Sequence, residues 1–129
     1  MTLVVANVSE DYMLQLILKG ADASLCLFTN DLTPAETDAL NTFIEMGNVQ
    51  DYAPKTLTAS AWGIVQGSPS LASYAEQVYT FAAGGPTVCF GYFVKRGANL
   101  MFGERFTNGP YIVQNAGDQI KVSPHFSLE

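Results

Sequence analysis

The chain has 129 residues and a formal net charge of −6; 48% of its residues are hydrophobic and only 14% are charged. This length predicts a single domain over residues 1–129. No apolar run reaches the ~20 residues of a membrane span, and six Lys and Arg in total are too few for a surface that binds nucleic-acid phosphates. We therefore expect neither a membrane nor a nucleic acid as a partner.

The charge is unevenly distributed. Residues 1–54 hold eight acids and one base, a net charge of −7, whereas residues 55–129 hold five bases and four acids, a net charge of +1. Two interpretations stay open: a solvated acidic face, or an acidic surface that docks on a basic partner. A charged fraction below the typical ~25% is also a feature of surfaces that a partner covers.

The N-terminal region predicts an arm followed by a helix. Residues 1–8 are mostly apolar and predict an extended arm or an edge strand. Ser9 has the chemistry of an N-cap, acids follow in the first turn, and Gly20 suits the position after the last turn, so we predict a helix over 9–19. This helix is apolar nearly all round, which predicts burial on more than one side: it closes the end of a β-sandwich or packs on a neighbouring subunit.

The middle of the chain predicts short strands and loops. Residues 23–29 read as a strand, and residues 33–36 predict either a short helical turn or part of a long loop. Weaker strand candidates cover 42–46 and 49–52, and a turn is expected at 67–70. Two further short strands are expected, at 55–58 and 62–66.

The strand pattern is clearer in the second half of the chain. Residues 87–95 are apolar on both faces, which predicts a central strand, and a hairpin turn at 96–99 leads to a partner strand over 100–106. Residues 118–129 alternate with a period of two and predict one closing strand with His125 on its solvent face. Residues 77–81 and 111–113 are also β-rich. The sequence therefore predicts a mainly β fold, an antiparallel β-sandwich or barrel-like domain with one short N-terminal α-helix.

Few groups in the sequence could carry catalysis. His125 is the only histidine, and no Gly-x-Ser-x-Gly turn supplies a nucleophile. Cys26 and Cys89 lie in apolar runs, which favours buried thiols over a disulfide. Acidic residues near position 31 lack the spacing of a calcium loop. We predict no enzymatic activity, no metal and no cofactor.

The adjacent charges Glu104 and Arg105 lie in an apolar strand, so alternation draws one of them toward an apolar side. On alternation, Glu104 shares a face with Leu100 and Phe102. A buried charge needs a partner. We expect a structural salt bridge or an interface ion pair rather than an active-site carboxylate.

Four motifs in the C-terminal third carry a resemblance: Gly-Tyr-Phe-Val at 91–94, the run from Asn99 to Phe106, Pro-Tyr-Ile-Val at 110–113 and Gly-Asp-Gln-Ile-Lys-Val at 117–122. With Leu-Phe-Thr-Asn-Asp at 27–31 and Thr-Pro at 33–34, the chain resembles small β-rich proteins encoded among the structural genes of tailed bacteriophages. It departs from them at residues 101–103, where a more aromatic stretch is expected.

The resemblance implies a virion component, with head decoration (cement) as the leading role. It implies the major capsid protein as a partner and the capsid surface as the location, after assembly in the host cytoplasm. We also expect a homo-oligomer, a trimer before a dimer, because capsid lattices offer three-fold positions. The candidate contacts, all in the arm and the helix, are Leu3, Val4, Val5, Tyr12, Met13 and Leu16.

An alternative function is a carbohydrate- or receptor-binding or structural module of a phage tail or baseplate. It predicts exposed aromatic side chains beside polar loops, and Trp62, Tyr74 and Tyr111 are the residues to inspect.

Overall fold

The computed structural model describes residues 4–128, which contain one α-helix, eleven β-strands and two short 3-10 helices. The helix α1 is Asn7–Leu18. The strands are β1 (Ala23–Phe28), β2 (Lys55–Leu57), β3 (Gly63–Val65), β4 (Ser70–Ser73), β5 (Gln77–Thr80), β6 (Thr87–Cys89), β7 (Gly91–Arg96), β8 (Asn99–Arg105), β9 (Tyr111–Val113), β10 (Gln119–Val122) and β11 (His125–Leu128).

The strands form four antiparallel sheets. The largest has the order β2-β1-β7-β8; the others are β11-β4-β3, β10-β5 and β6-β9. The prediction of a mainly β, antiparallel fold with one N-terminal helix is confirmed. Over residues 4–128 no sheet closes on itself, so the barrel-like alternative is not observed.

The four-stranded sheet is buried on both faces. Leu25 opposes Val94 and Leu27 opposes Tyr92 on the face toward the main core, whereas Cys26 opposes Phe93 on the outer face. Such two-sided burial explains the continuous apolar runs of β1 and β7. The prediction that residues 87–95 lie in the middle of a sheet is confirmed for β7. It is wrong for β6, which pairs with β9 in a separate sheet.

The outer face of this sheet is covered by residues 29–52. Phe43 packs against Phe28 and Phe93, with ring centroids 5.1 and 4.9 Å apart. The strand candidates at 42–46 and 49–52 are wrong, because only an isolated bridge between Phe28 and Glu45 forms there. At 33–36 the long-loop alternative is correct.

The C-terminal segment forms two strands instead of one. Ile120 and Val122 are buried and His125 is exposed, so the predicted faces are correct. However, β10 pairs with β5 and β11 pairs with β4. The chain changes sheets at the buried Pro124, which has no N–H for a β-ladder.

The strand β4 was missed in the sequence, because the Gly-Ser-Pro-Ser run at 67–70 signals a turn and conceals the start of the strand at Ser70.

The helix begins two residues before the predicted start and ends one residue before the predicted end. Its N-cap is Ala6, so the assignment of Ser9 as N-cap is wrong, and the described residues 4–6 contain no strand. Leu14, Leu18 and Glu10 are its buried residues. Within residues 4–128 α1 is buried on one side only and its opposite side is exposed, so the predicted burial on a second side remains a prediction of packing on a neighbouring subunit.

Candidate functional site

The exposed side of α1 carries a continuous apolar surface. Val8, Tyr12 and Leu16 recur at intervals of four and so lie in one row, and Met13 and Ile17 form a second row beside it. These five residues are called the helix stripe. Tyr12 is 63% exposed and Leu16 is 57% exposed, whereas Leu14, on the opposite side, is fully buried.

The helix stripe is large for an unpartnered surface. An exposed helix face normally carries polar residues, and contiguous apolar patches of several hundred Å² commonly mark contacts with other molecules. Its border on one side is polar: the Gln15 amide donates a hydrogen bond of 3.0 Å to the Asp11 carboxylate. An apolar band with a polar rim is the anatomy of a protein–protein interface.

The structure brings together three of the predicted contact residues. Tyr12, Met13 and Leu16 all lie on the helix stripe. Val4 and Val5 precede the helix and are 83% and 37% exposed. Leu3 lies outside the described residues. Val8 and Ile17 lie in the predicted arm and helix but were not named individually, although both continue the four-residue spacing of the stripe.

An apolar groove continues from the helix stripe. It has a volume of about 340 Å³ and lies between the C-terminal end of α1 and strands β8 and β11. We call it the helix groove. Ile17 belongs both to the helix stripe and to this groove, so the two form one surface. The lining residues are Ile17, Leu18, Arg96, Asn99, Leu100, Met101, Phe102 and Phe126.

Arg96 fixes the position of the helix relative to the β7–β8 hairpin. Its Nη2 donates hydrogen bonds to the carbonyls of Ile17 at 2.7 Å and Ala21 at 2.8 Å. A cation at a helix C-terminus also interacts favourably with the helix dipole. These bonds connect the C-terminal end of the helix, and with it the helix stripe, to the hairpin beside the groove.

A second groove lies on the other side of β8. It has a volume of about 450 Å³ and is lined by residues 34–38 and Phe43 together with residues 100–103 of β8. We call it the loop groove. Its lining includes the acidic residues Glu36 and Asp38 beside apolar residues such as Phe43.

The only histidine, His125, belongs to a short series of interacting polar groups. The Tyr92 hydroxyl donates to Glu104 Oε2 at 2.8 Å, and His125 Nε2 lies 3.6 Å from the same oxygen. The ring Nδ1 lies 3.2 Å from the Ser123 carbonyl. Both ring nitrogens thus face acceptors, and the arrangement orients the imidazole across β8 and β11. The geometry favours a structural link between the two strands.

Arg105 forms the ion pair expected from the sequence. Its Nη1 lies 2.6 Å from Asp31 Oδ1, and its guanidinium lies over the Phe90 ring. Glu104 instead accepts a hydrogen bond from the Tyr92 hydroxyl.

The side chains of Leu100 and Met101 do not follow the predicted alternation of β8. A register shift between β7 and β8 next to Val94 puts Met101 and Phe102 on the main core and Leu100 on the outer cluster.

Both cysteines are free and fully buried. Burial raises the pKa of each thiol to about 12. A thiol that stays protonated is a poor nucleophile and a poor metal ligand. Among residues 4–128, no group of three or more His, Cys, Asp or Glu side chains is arranged to hold a metal ion.

The aromatic residues singled out for glycan binding do not form one platform. Trp62 is buried and packs edge-on against Tyr74, with centroids 5.2 Å apart. Tyr111 is 38% exposed and packs on Phe106. The most exposed aromatic ring in the described part of the chain is Tyr12, on the helix stripe.

Residues 4–128 form a mainly β protein with an exposed apolar surface on the one helix described. In the part of the chain that the structure describes, no helix has both the length and the apolar character needed to cross a bilayer. No protein-family model, curated protein or solved structure matches the chain.

Proposed function

We propose that this protein is a structural component of a virus particle that acts by adhesion, as a decoration protein on the head of a tailed bacteriophage. The observation that carries the proposal is the helix stripe: five apolar side chains, all at least 40% exposed, on one face of a short helix. Covering such a surface with another protein removes apolar area from water, which favours association.

The role within the particle comes from the resemblance of the C-terminal motifs to phage structural proteins. The proposed partner is the major capsid protein. A decoration protein is present in many symmetric copies, so a modest affinity for each site is sufficient. The low charged fraction of 14% agrees with a surface that is partly covered in its assembly.

The test is co-sedimentation of the full chain with capsids of the cognate phage that lack it. Leu16→Asp and Tyr12→Asp place a charge in the centre of the helix stripe, and each should weaken binding by at least tenfold, because hot-spot residues at the centre of an interface typically contribute 2 kcal/mol or more. Ile112→Asp is the matched control, since Ile112 is 62% exposed but lies on β9.

Two outcomes would contradict the proposal. If the stripe variants and the control sediment equally with capsids, the helix stripe is not the contact. If the protein is present in virions at six to a few dozen copies instead of hundreds, it belongs to the tail, as the alternative function predicts.

A further inference from the structure

The longest strand in the described chain lies at the edge of its sheet. β8 has seven residues, and in the order β2-β1-β7-β8 it is paired on one side only among residues 4–128. The other edge strands have three or four residues each. A long strand with a free edge is a template for pairing with another chain. Residues 100–103 at its centre carry no charge that would prevent such pairing.

Both sides of this edge offer space for side chains. The helix groove and the loop groove are each lined by Leu100, Met101 and Phe102. An added strand sends successive side chains to opposite faces, so it would place them alternately in the two grooves. An unpaired backbone edge flanked by pockets for alternate side chains is the arrangement used for strand addition.

The same chain contains a segment suited to fill the grooves. Residues 2–6 are Thr-Leu-Val-Val-Ala, uncharged and mostly apolar. Ala6 has an extended backbone, Val4 is 83% exposed, and residues 4–6 belong to no helix or strand. Five extended residues span ~17 Å, which fits within the ~23 Å of β8. An uncharged segment also brings no unpaired charge into the apolar grooves.

We propose that β8 is a strand acceptor: residues 2–6 of a neighbouring copy pair with its free edge and place their side chains in the helix groove and the loop groove. The helix groove lies at the Ile17 end of α1, about 15 Å along the helix axis from Asn7. The chain's own segment would have to reverse at Ala6 to reach it. A neighbouring copy needs no reversal, and head-to-tail exchange of this kind forms a ring when the rotation between successive copies closes.

The first test is oligomeric state, measured by analytical ultracentrifugation of the full chain. The wild type should be an oligomer, and Met101→Lys, which puts a charge on the acceptor edge, should be a monomer. Ile112→Lys, on the three-residue edge strand β9, is the control and should stay oligomeric. Val4→Asp alters an exposed side chain outside the folded body, so it should give a folded monomer even if Met101→Lys does not fold.

The second test is disulfide cross-linking between copies. Val4→Cys and Met101→Cys are purified separately, mixed and oxidised; a disulfide-linked pair of the two variants is expected. Cys26 and Cys89 are fully buried and should not react. A wild type that is monomeric, variants that keep the wild-type state, or a mixture that forms no mixed pair would overturn the proposal.

This inference is separable from the proposed capsid contact. Leu16 lies on the helix stripe but lines neither groove. Leu16→Asp should therefore lose capsid binding and remain oligomeric, whereas Val4→Asp should lose the oligomer.

Discussion

Tyr52 completes the hydrogen bonding of β1 where β2 ends. β2 pairs with β1 only as far as Leu25. Beyond that point the Leu27 N–H donates to the Tyr52 hydroxyl at 3.1 Å, and the hydroxyl donates to Glu45 Oε2 at 2.9 Å. The Tyr52 hydroxyl thus satisfies a buried N–H of β1 that β2 does not reach, and a buried N–H without a partner is costly.

Tyr52→Phe tests this role. The substitution leaves the buried Leu27 N–H without an acceptor, so we expect a loss of about 1–3 kcal/mol in the free energy of unfolding, measured by urea denaturation. Tyr74→Phe is the control: the Tyr74 hydroxyl accepts from the exposed Thr58 N–H, where water can substitute. Equal losses for both variants would show that burial of the donor does not decide the cost.

The two thiols provide a second prediction at this scale. Burial raises the pKa of Cys26 and Cys89 to about 12, so at pH 8 both are protonated as well as inaccessible. A thiol reagent should label neither in the native protein and both in denaturant, counted by mass spectrometry. Rapid labelling of either thiol in native protein would contradict the burial described.

Asp118 makes stability depend on pH. Its Oδ2 accepts hydrogen bonds from the N–H groups of Asn115 and Gln114 at 2.8 and 2.9 Å, and these lower its pKa from the ordinary value of 3.8. The folded state therefore favours the charged form. The stabilisation is present above the unfolded pKa and is lost as the pH falls through the lower, folded pKa.

Asp118→Asn removes this titration. We expect the variant to be less stable than the wild type at pH 7, with the difference shrinking below pH 3.8. Chemical denaturation at a series of pH values measures it. A difference that stays constant down to pH 2 would show that the carboxylate charge is not involved.

At the scale of elements, α1 has one side buried in the fold and an opposite side that is apolar and exposed. Leu14 and Leu18 are buried against the body, and the helix stripe lies opposite. Leu14→Ala should cost about 2–5 kcal/mol in the free energy of unfolding. Leu16→Ala should change the free energy of unfolding by no more than about 0.5 kcal/mol, as expected for an exposed site.

In capsid binding the order should be the opposite: Leu16→Ala should weaken binding more than Leu14→Ala, when Leu14→Ala is assayed at a temperature where it is folded. Thermal unfolding followed by circular dichroism gives the stability comparison. If Leu16→Ala destabilises the monomer as strongly as Leu14→Ala, the stripe packs within the chain and is not a free contact surface.

At the scale of the whole molecule, one apolar cluster joins the helix to all four sheets. Its buried members extend from Leu14 in α1 to Val122 in β10, and include Leu25, Ala72 and Val113 from three other sheets. A second, smaller cluster of Cys26, Phe28, Phe43 and Phe93 lies on the outer face of the four-stranded sheet.

This shared core predicts that the protein unfolds in one step. Trp62 is the only tryptophan and is 3% exposed within the main cluster, so its fluorescence reports that cluster. The fluorescence transition and the far-ultraviolet circular dichroism transition should coincide in urea. Two separated transitions would contradict the prediction of a single domain over residues 1–129.

Features that depend only on residues close together in the sequence could be predicted from the sequence by itself. The hairpin turn at 96–99 and the turn before Gln119 both contain a glycine with a positive φ, Gly97 at 60° and Gly117 at 90°. The burial of both cysteines and the faces of Ile120, Val122 and His125 also follow from local pattern, because a strand's alternation is set by its own pleat.

Only the tertiary structure decided which sheet each strand joins and which apolar faces stay open. Apolar residues on α1 predict a contact but do not distinguish a core from a partner, since both remove the same surface from water. The division of 87–95 and 118–128 between sheets, and the free edge of β8, depend on pairing between residues far apart in the chain. The periodicity of apolar residues predicts that a side chain is buried, but it does not identify the residues that bury it.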